Sequence, residues 1–303
     1  MTSTGYGSAA TPDLMPEPVP KGTKAARQRR PGAATRWIVL IVCGIYFIGP
    51  LFAAFSFTVK KNGGGISFSA YKEIFAKQPG GQIGIQTALL VSLELAIIAI
   101  LLTLALMLPT MLLLHLKFRK VRPLVEIITL LPLVFPPVVL VVGVSDIFIW
   151  TGNHFTGSAN QVMNHLRSQN LPLVLALLYV MLAMPFVYRS LDAGIRAIDV
   201  NTLVEAARNL GSGWITVLWR VLMPSLRTAI INASFLCFAL VMGEYTISSI
   251  LLFNKPFPVW LVQLPTNSGQ VQVATSLLSL VLVEVLLLLI GALNWRRGAE
   301  RKS

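Results

Sequence analysis

Residues 199–224 read DVNTLVEAARNLGSGWITVLWRVLMP, and the rest of the chain is best understood from this stretch outward. Leu203, Ala206, Ala207 and Leu210 recur at i, i+3, i+4 and i+7, which is one face of a helix. Asp199 or Asn201 can cap its start, and Gly211 suits its stop. Ser212 and Gly213 then open a second short helix, with Ile215, Leu218 and Leu222 along one side and Pro224 marking its end. Two short amphipathic helices hinged at a glycine form a surface that can dock a partner or lie on a membrane interface.

On either side of this stretch the chain turns apolar. Of 303 residues, 55% are hydrophobic and only 12% are charged, about half the charge that soluble domains carry. The mean hydropathy is +0.72. A soluble domain of this length could not cover its surface with so few charges. Disordered, collagen-like and disulfide-rich secreted chains are excluded as well. A membrane span needs about 20 mostly apolar residues. Six stretches qualify: 37–58, 87–116, 124–150, 171–188, 229–253 and 271–295. The expected fold class is therefore all-α, a polytopic membrane protein with six transmembrane helices. Pro132, Pro136 and Pro137 are expected to break the third span.

The expected organisation follows from those spans. Residues 1–36 are a basic, Pro/Gly/Ala-rich disordered cytoplasmic tail. Residues 37–58 are the first span, too long for a signal-peptide core and without a small-residue cleavage site after it. Residues 59–86 form an extracytoplasmic segment. Residues 87–295 hold five spans and a cytoplasmic loop at 189–228, and 296–303 are a cytoplasmic tail. No internal repeat is apparent, so an inverted-repeat secondary transporter gains no support.

The chain carries 25 Lys+Arg against 12 Asp+Glu, a net charge of +13. In a soluble protein this would suggest nucleic acid. Here the spans divide the basic residues between two sides. Nineteen fall in the N-terminal tail, the loop from Lys117 to Arg122, the loop from Arg189 to Arg227 and the C-terminal tail. The other side has Lys60, Lys61, Lys72, Lys77, Arg167 and Lys255. The richer side should be cytoplasmic, with both termini there, and the charge needs no nucleic acid to explain it.

Glu205-Ala206-Ala207, a gap of three, Gly211, a gap of nine, then Val221-Leu222-Met223-Pro224 resembles the EAA motif of ABC-importer permeases. That motif reads E-A-A, three residues, G, nine residues, then I-x-L-P. Val221 and Met223 replace its isoleucine and leucine with apolar residues of similar volume. The resemblance covers about residues 65–295 and implies a binding-protein-dependent permease of the type I importer fold. It looks closest to the polyamine, phosphonate, iron and thiamine group. It further implies a multi-pass protein of the bacterial inner membrane, with two ATPase subunits, a second permease subunit that is a homologous but different chain, an extracytoplasmic substrate-binding protein and membrane lipid as partners. ATP and Mg would sit on the ATPase, and no cofactor on this chain.

In such a permease Glu205, Ala206, Ala207, Gly211, Trp214, Ile215, Leu218, Trp219 and Pro224 would couple to the ATPase. The residue types suit that role, since an apolar helix face with a tryptophan anchor fills a groove, glycine allows the sharp turn, and the glutamate can make a charge-assisted contact. Taken without the motif, Glu205 and Arg208 would simply pair at i, i+3, and Trp214 and Trp219 would be interfacial aromatics.

Chemistry within the chain has little support. No phosphate-cradling G-x-x-x-x-G-K-[ST] occurs, His115, His154 and His165 have no metal-ligand spacing, and Cys43 and Cys237 sit in apolar runs without a CxxC. The chain is expected not to be an enzyme. Intramembrane acids are costly and usually functional. Glu244, beside Tyr245 in the fifth span, and Asp146 in the third are therefore candidates for the substrate pathway. They suit a small cationic solute such as a polyamine. The competing reading is a secondary transporter or channel with no ATPase partner.

Overall fold

The computed structural model describes residues 33–60, 65–75, 83–154, 157–168, 171–263 and 269–299. Of the tails expected at 1–36 and 296–303, residues 1–32 and 300–303 lie outside the described residues, while 33–36 and 296–299 belong to the first and last helices. The described chain is helical throughout, apart from an isolated bridge between Lys60 and Ile66 and short connections. It divides into two units, residues up to Pro50 and residues from Leu51 onward. The first holds the start of α1 (Ala33–Val59), whose lipid-length run of Trp37, Ile38, Leu40, Tyr46 and Phe47 is exposed.

In the second unit α2 (Ser69–Phe75) is short, α3 (Ile85–Leu116) is long, and α4 (Arg122–Val134) leads into α5 (Pro137–His154). α6 (Ser158–Leu166) precedes α7 (Leu173–Arg196) and α8 (Val200–Asn209). The segment α9 (Trp214–Ser225) bends by 74° into α10 (Arg227–Gly243). Two short helices, α11 (Thr246–Ile250) and α12 (Phe257–Gln263), lead to α13 (Gly269–Ala299). Among the described residues four helices are long and apolar enough to cross a membrane, or five if the bent pair α9–α10 is counted as one span. The apolar part of α13, Gly269–Val285, is shorter.

The core is the bundle of α3, α7 and α10, with α4 packed on α7. Lipid tails are as apolar as leucine, so helices associate in a membrane through close packing rather than through burial from water. Small residues make that possible. Ala96, Ala99, Ala176, Ala183 and Ala233 are fully buried between the helices. A Cβ added at Gly194 of α7 would overlap the Ala229 methyl of α10. Only glycine lets these two backbones approach so closely.

One expected break is present, and two boundaries differ from expectation. The third span divides into α4 and α5 at Phe135-Pro136, as the prolines require, since Pro137 cannot supply an amide to a continuing helix. The fourth does not stop at Tyr188: α7 runs on through Arg189 to Arg196, so the loop expected at 189–228 is shorter. The fifth is interrupted. α10 ends at Gly243, and Glu244 is extended, with φ −83° and ψ 111°.

Candidate functional site

The loop after α7 builds the expected pair of helices. Asp199 caps α8: its Oδ1 accepts from the Thr202 amide at 3.3 Å and its Oδ2 from the Thr202 hydroxyl at 2.6 Å. Those two hydrogen bonds, both favouring the charged form, hold the Asp199 carboxyl below the usual aspartate value. The other end closes as a Schellman motif. The Ser212 amide donates to Ala207 O at 3.1 Å and the Gly211 amide to Arg208 O at 2.9 Å. Gly211 takes φ +81°, as this motif requires.

The buried faces are not those expected. In α8 it is Val200, Val204 and Ala207 that turn inward, while Ala206 is exposed and Leu210 is 86% exposed. In α9, Val217 and Leu222 are buried and Ile215 is 77% exposed. The reason is a π-helical stretch, Val217–Leu222, in which the Met223 amide donates to Leu218 O. A π turn puts residues five apart on one face, so Val217 and Leu222 align. Pro224 does not end the helix, which continues to Ser225. The widened turn just before it relieves the clash a proline ring makes with the carbonyl four residues back.

What remains free on this loop is an apolar surface. Leu210, Ile215 and Trp219 (63% exposed) project outward, and Leu218 is partly buried. Trp214 is held within the chain: the Arg208 guanidinium lies 4.9 Å and the Lys117 ammonium 5.8 Å from its ring centre. Such cation–π contacts fix its orientation and tie α3, α8 and α9 together. Arg208 thus turns to Trp214, and no ion pair joins it to Glu205, which is exposed.

Directly behind the loop lies a charge cluster that the sequence did not reveal. Arg122 at the start of α4 donates to both oxygens of Asp192 on α7, at 2.6 and 2.8 Å. Arg196 Nη2 lies 2.8 Å from Oδ2, and His115 Nε2 at the end of α3 lies 3.2 Å from Oδ1. The Asp192 side chain is only 12% exposed. Both Arg122 bonds come from one guanidinium nitrogen, Nη2, and such charge-assisted hydrogen bonds are short and strong. The cluster joins the end of α3, the start of α4 and the last turns of α7.

The pathway candidates are placed differently from one another. Glu244 is buried, and its carboxylate accepts from the Ile247 amide at 3.0 and 3.1 Å, capping α11. Its carboxyl group thus sits at the interruption in the span. Tyr245 is exposed, as is Asp146 on α5, and α5 packs against α11.

A broken, small-residue helical core with a helix pair projecting on the side rich in cations is the architecture expected from the E-A-A pattern. The description "Binding-protein-dependent transport system inner membrane component" matches residues 112–297, more than half of the chain. The chain belongs to this family of ABC-importer permeases. It is a multi-pass inner-membrane permease subunit and is not itself catalytic. A secondary transporter or channel is thereby set aside. ATPase and binding-protein partners come with the family in general terms. Among relatives of this permease, the molybdenum transport system permease protein ModB of Mycobacterium tuberculosis is 30% identical over 223 residues, covering 68% of this chain and 79% of the relative. ModB of Mycobacterium bovis matches equally. A probable sulfate transport system permease protein cysT of Nephroselmis olivacea is 34% identical over 150 residues, 45% of this chain and 51% of the relative. No polyamine permease is among these relatives, so the expected polyamine grouping finds no support.

Proposed function

We propose that this permease forms half of the membrane pathway of an ATP-driven importer for tetrahedral oxyanions of the molybdate and sulfate type. The observation that carries the substrate class is the similarity to ModB along most of both chains. Glu244, the acid that best suited a polyamine, is buried and accepts from the Ile247 amide at the break in the span.

Coupling to the ATPase runs through the loop at Gly211, with Leu210, Ile215 and Trp219 as the surface that enters the partner's groove and Glu205 beside it. Exposed apolar side chains on a water-facing loop are costly unless a partner covers them. Two ATPase subunits, which hold ATP and Mg, and a second permease subunit of related sequence complete the membrane complex. A binding protein delivers substrate from outside, and both termini are cytoplasmic.

The test is reconstitution. The permease is purified in mild detergent with its copurifying subunits, and uptake of molybdate, sulfate and spermidine is compared in proteoliposomes supplied with ATP. Oxyanion uptake that needs ATP supports the reading. Uptake of spermidine with neither oxyanion carried would refute the substrate class, and absence of any ATP-hydrolysing subunit would refute the coupling surface. Reporter fusions at Asn209 and Asn160 should report cytoplasmic and extracytoplasmic positions respectively.

A further inference from the structure

We propose that the groove between the cytoplasmic halves of α7 and α10 is an exit subsite for the transported oxyanion, with Arg189, Thr228 and Asn232 as its donors. The proposal rests on the oxyanion reading above and adds to it a place on this chain where the anion is held. The groove encloses about 790 Å³, ample for a tetrahedral anion and its water. Its floor is the tight crossing of Gly194 and Ala229. Phe186, Phe235 and Leu236 make its apolar wall.

Charge is the first reason. No Asp or Glu lines the groove. Asp192 is the one acid of α7, and Arg122 and Arg196 engage it outside the groove. α10 has no acid at all. The guanidinium of Arg189 therefore stands without an opposing carboxylate, and a cleft lined by one sign of charge concentrates the opposite ion.

The second reason is that the donors are uncommitted. Two hydroxyls of the groove are already used: Ser190 Oγ donates to Ala229 O at 3.2 Å and Ser225 Oγ to Val221 O at 2.7 Å. Arg189, Thr228 and Asn232 are exposed, and among the described residues their side chains have no hydrogen bond or ion pair. All three lie within about one turn of the Ser190–Ala229 contact.

Depth is the third. Arg189 lies about 24 Å along α7 from its extracytoplasmic start, near the cytoplasmic edge of a hydrocarbon layer about 30 Å thick. An arginine there can reach the headgroups with its long stem, but the short side chain of Asn232 cannot. An amide open to lipid is unfavourable. The face that carries both is thus turned to the interior of the complex. A guanidinium fork matches two oxygens of a tetrahedral anion, and the amide and hydroxyl add neutral donors. The open groove leaves the anion free to depart.

The complete transporter, with ATPase and binding protein, is reconstituted, and ATP-driven uptake of radiolabelled molybdate and sulfate is measured for the wild type, Arg189→Gln, Arg189→Lys and the double change Asn232→Ala, Thr228→Val. Arg189→Gln should lower turnover by about ten- to a hundredfold, the effect of one lost charged hydrogen-bonding group. The half-saturating concentration of loaded binding protein and the ATPase content should stay as in the wild type. Arg189→Lys should recover part of the loss, and the double change should give a smaller loss. Wild-type turnover in Arg189→Gln overturns the subsite while leaving the substrate class intact. So does release of the second permease subunit from that variant, which would make Arg189 an interface ion pair, and so does a lysine variant with no recovery, which would make it a packing residue. A wild-type transporter that carries neither oxyanion overturns the substrate class and this proposal with it.

Discussion

Replacing Gly211 separates two reasons for a glycine at the loop hinge. Its φ of +81° is a conformation that L side chains rarely adopt. Apart from its own atoms and those of Leu210 and Ser212, no atom of the described chain lies within 4 Å of where its Cβ would be. Crowding within the permease is therefore absent, and the effect of a substitution must be conformational. A non-glycine residue in the left-handed region costs roughly 1–2 kcal/mol, and asparagine less. If that strain is relieved by re-aiming α9, the affinity for the ATPase falls by roughly 5- to 30-fold. The expected order of retained ATPase is therefore Gly211, then Gly211→Asn, then Gly211→Ala, then Gly211→Val, because β-branched residues tolerate this region worst. The assay is ATPase content after purification at a series of dilutions, together with binding-protein-stimulated hydrolysis. Wild-type behaviour of Gly211→Val would refute the hinge. Asparagine as damaging as valine would show that the partner's surface, not the backbone angle, demands glycine.

Three further outcomes are expected. Asp192→Ala should lower the thermal stability of the purified permease by roughly 2–4 kcal/mol, somewhat less than a fully enclosed pair because Arg196 is 59% exposed; an unchanged melting transition in detergent would refute the cluster's role. Glu244→Gln, which keeps an acceptor for the Ile247 amide, should retain most uptake, while Glu244→Ala should lose about 1 kcal/mol of capping; abolished uptake in a well-folded glutamine variant would return the charge to the pathway. Asp199 titrates below the usual aspartate value, so its cap is complete above that value and is lost as pH falls through the lowered one; protection of the Thr202 amide from exchange, relative to its intrinsic rate at each pH, should fall only in that acid range, and Asp199→Asn, which still caps, should remove the dependence.

The spans were legible because a lipid-length apolar run has few other readings, and the break at Phe135-Pro136 because proline chemistry is local. The end of α7 was not. Arg189 and Arg196 look like loop residues until Asp192 and the groove supply their surroundings. The Asp192–Arg122 pair joins residues 70 apart in sequence, and no spacing rule reaches that far. Each apolar stripe of α8 and α9 was read as a single face, but burial divides it, since Ala207 and Leu222 turn inward while Leu210 and Ile215 stay exposed. The π turn then shifts the register again. Asp199 and Gly211, whose roles depend on their own backbone, were both read correctly.

The 74° bend between α9 and α10 gives this pair of helices the form of a bell crank. Its pivot, Leu226, is almost wholly buried, and its short arm carries the exposed Ile215 and Trp219. The long arm, α10, extends about 25 Å across the bilayer. A rocking of about 5° at the short arm would therefore sweep the far end of α10 by about 2 Å, where Gly243 gives way to the extended backbone of Glu244. Because no loop intervenes at the corner, little of that rotation can be absorbed on the way, and the amplitude is set by the length of one helix.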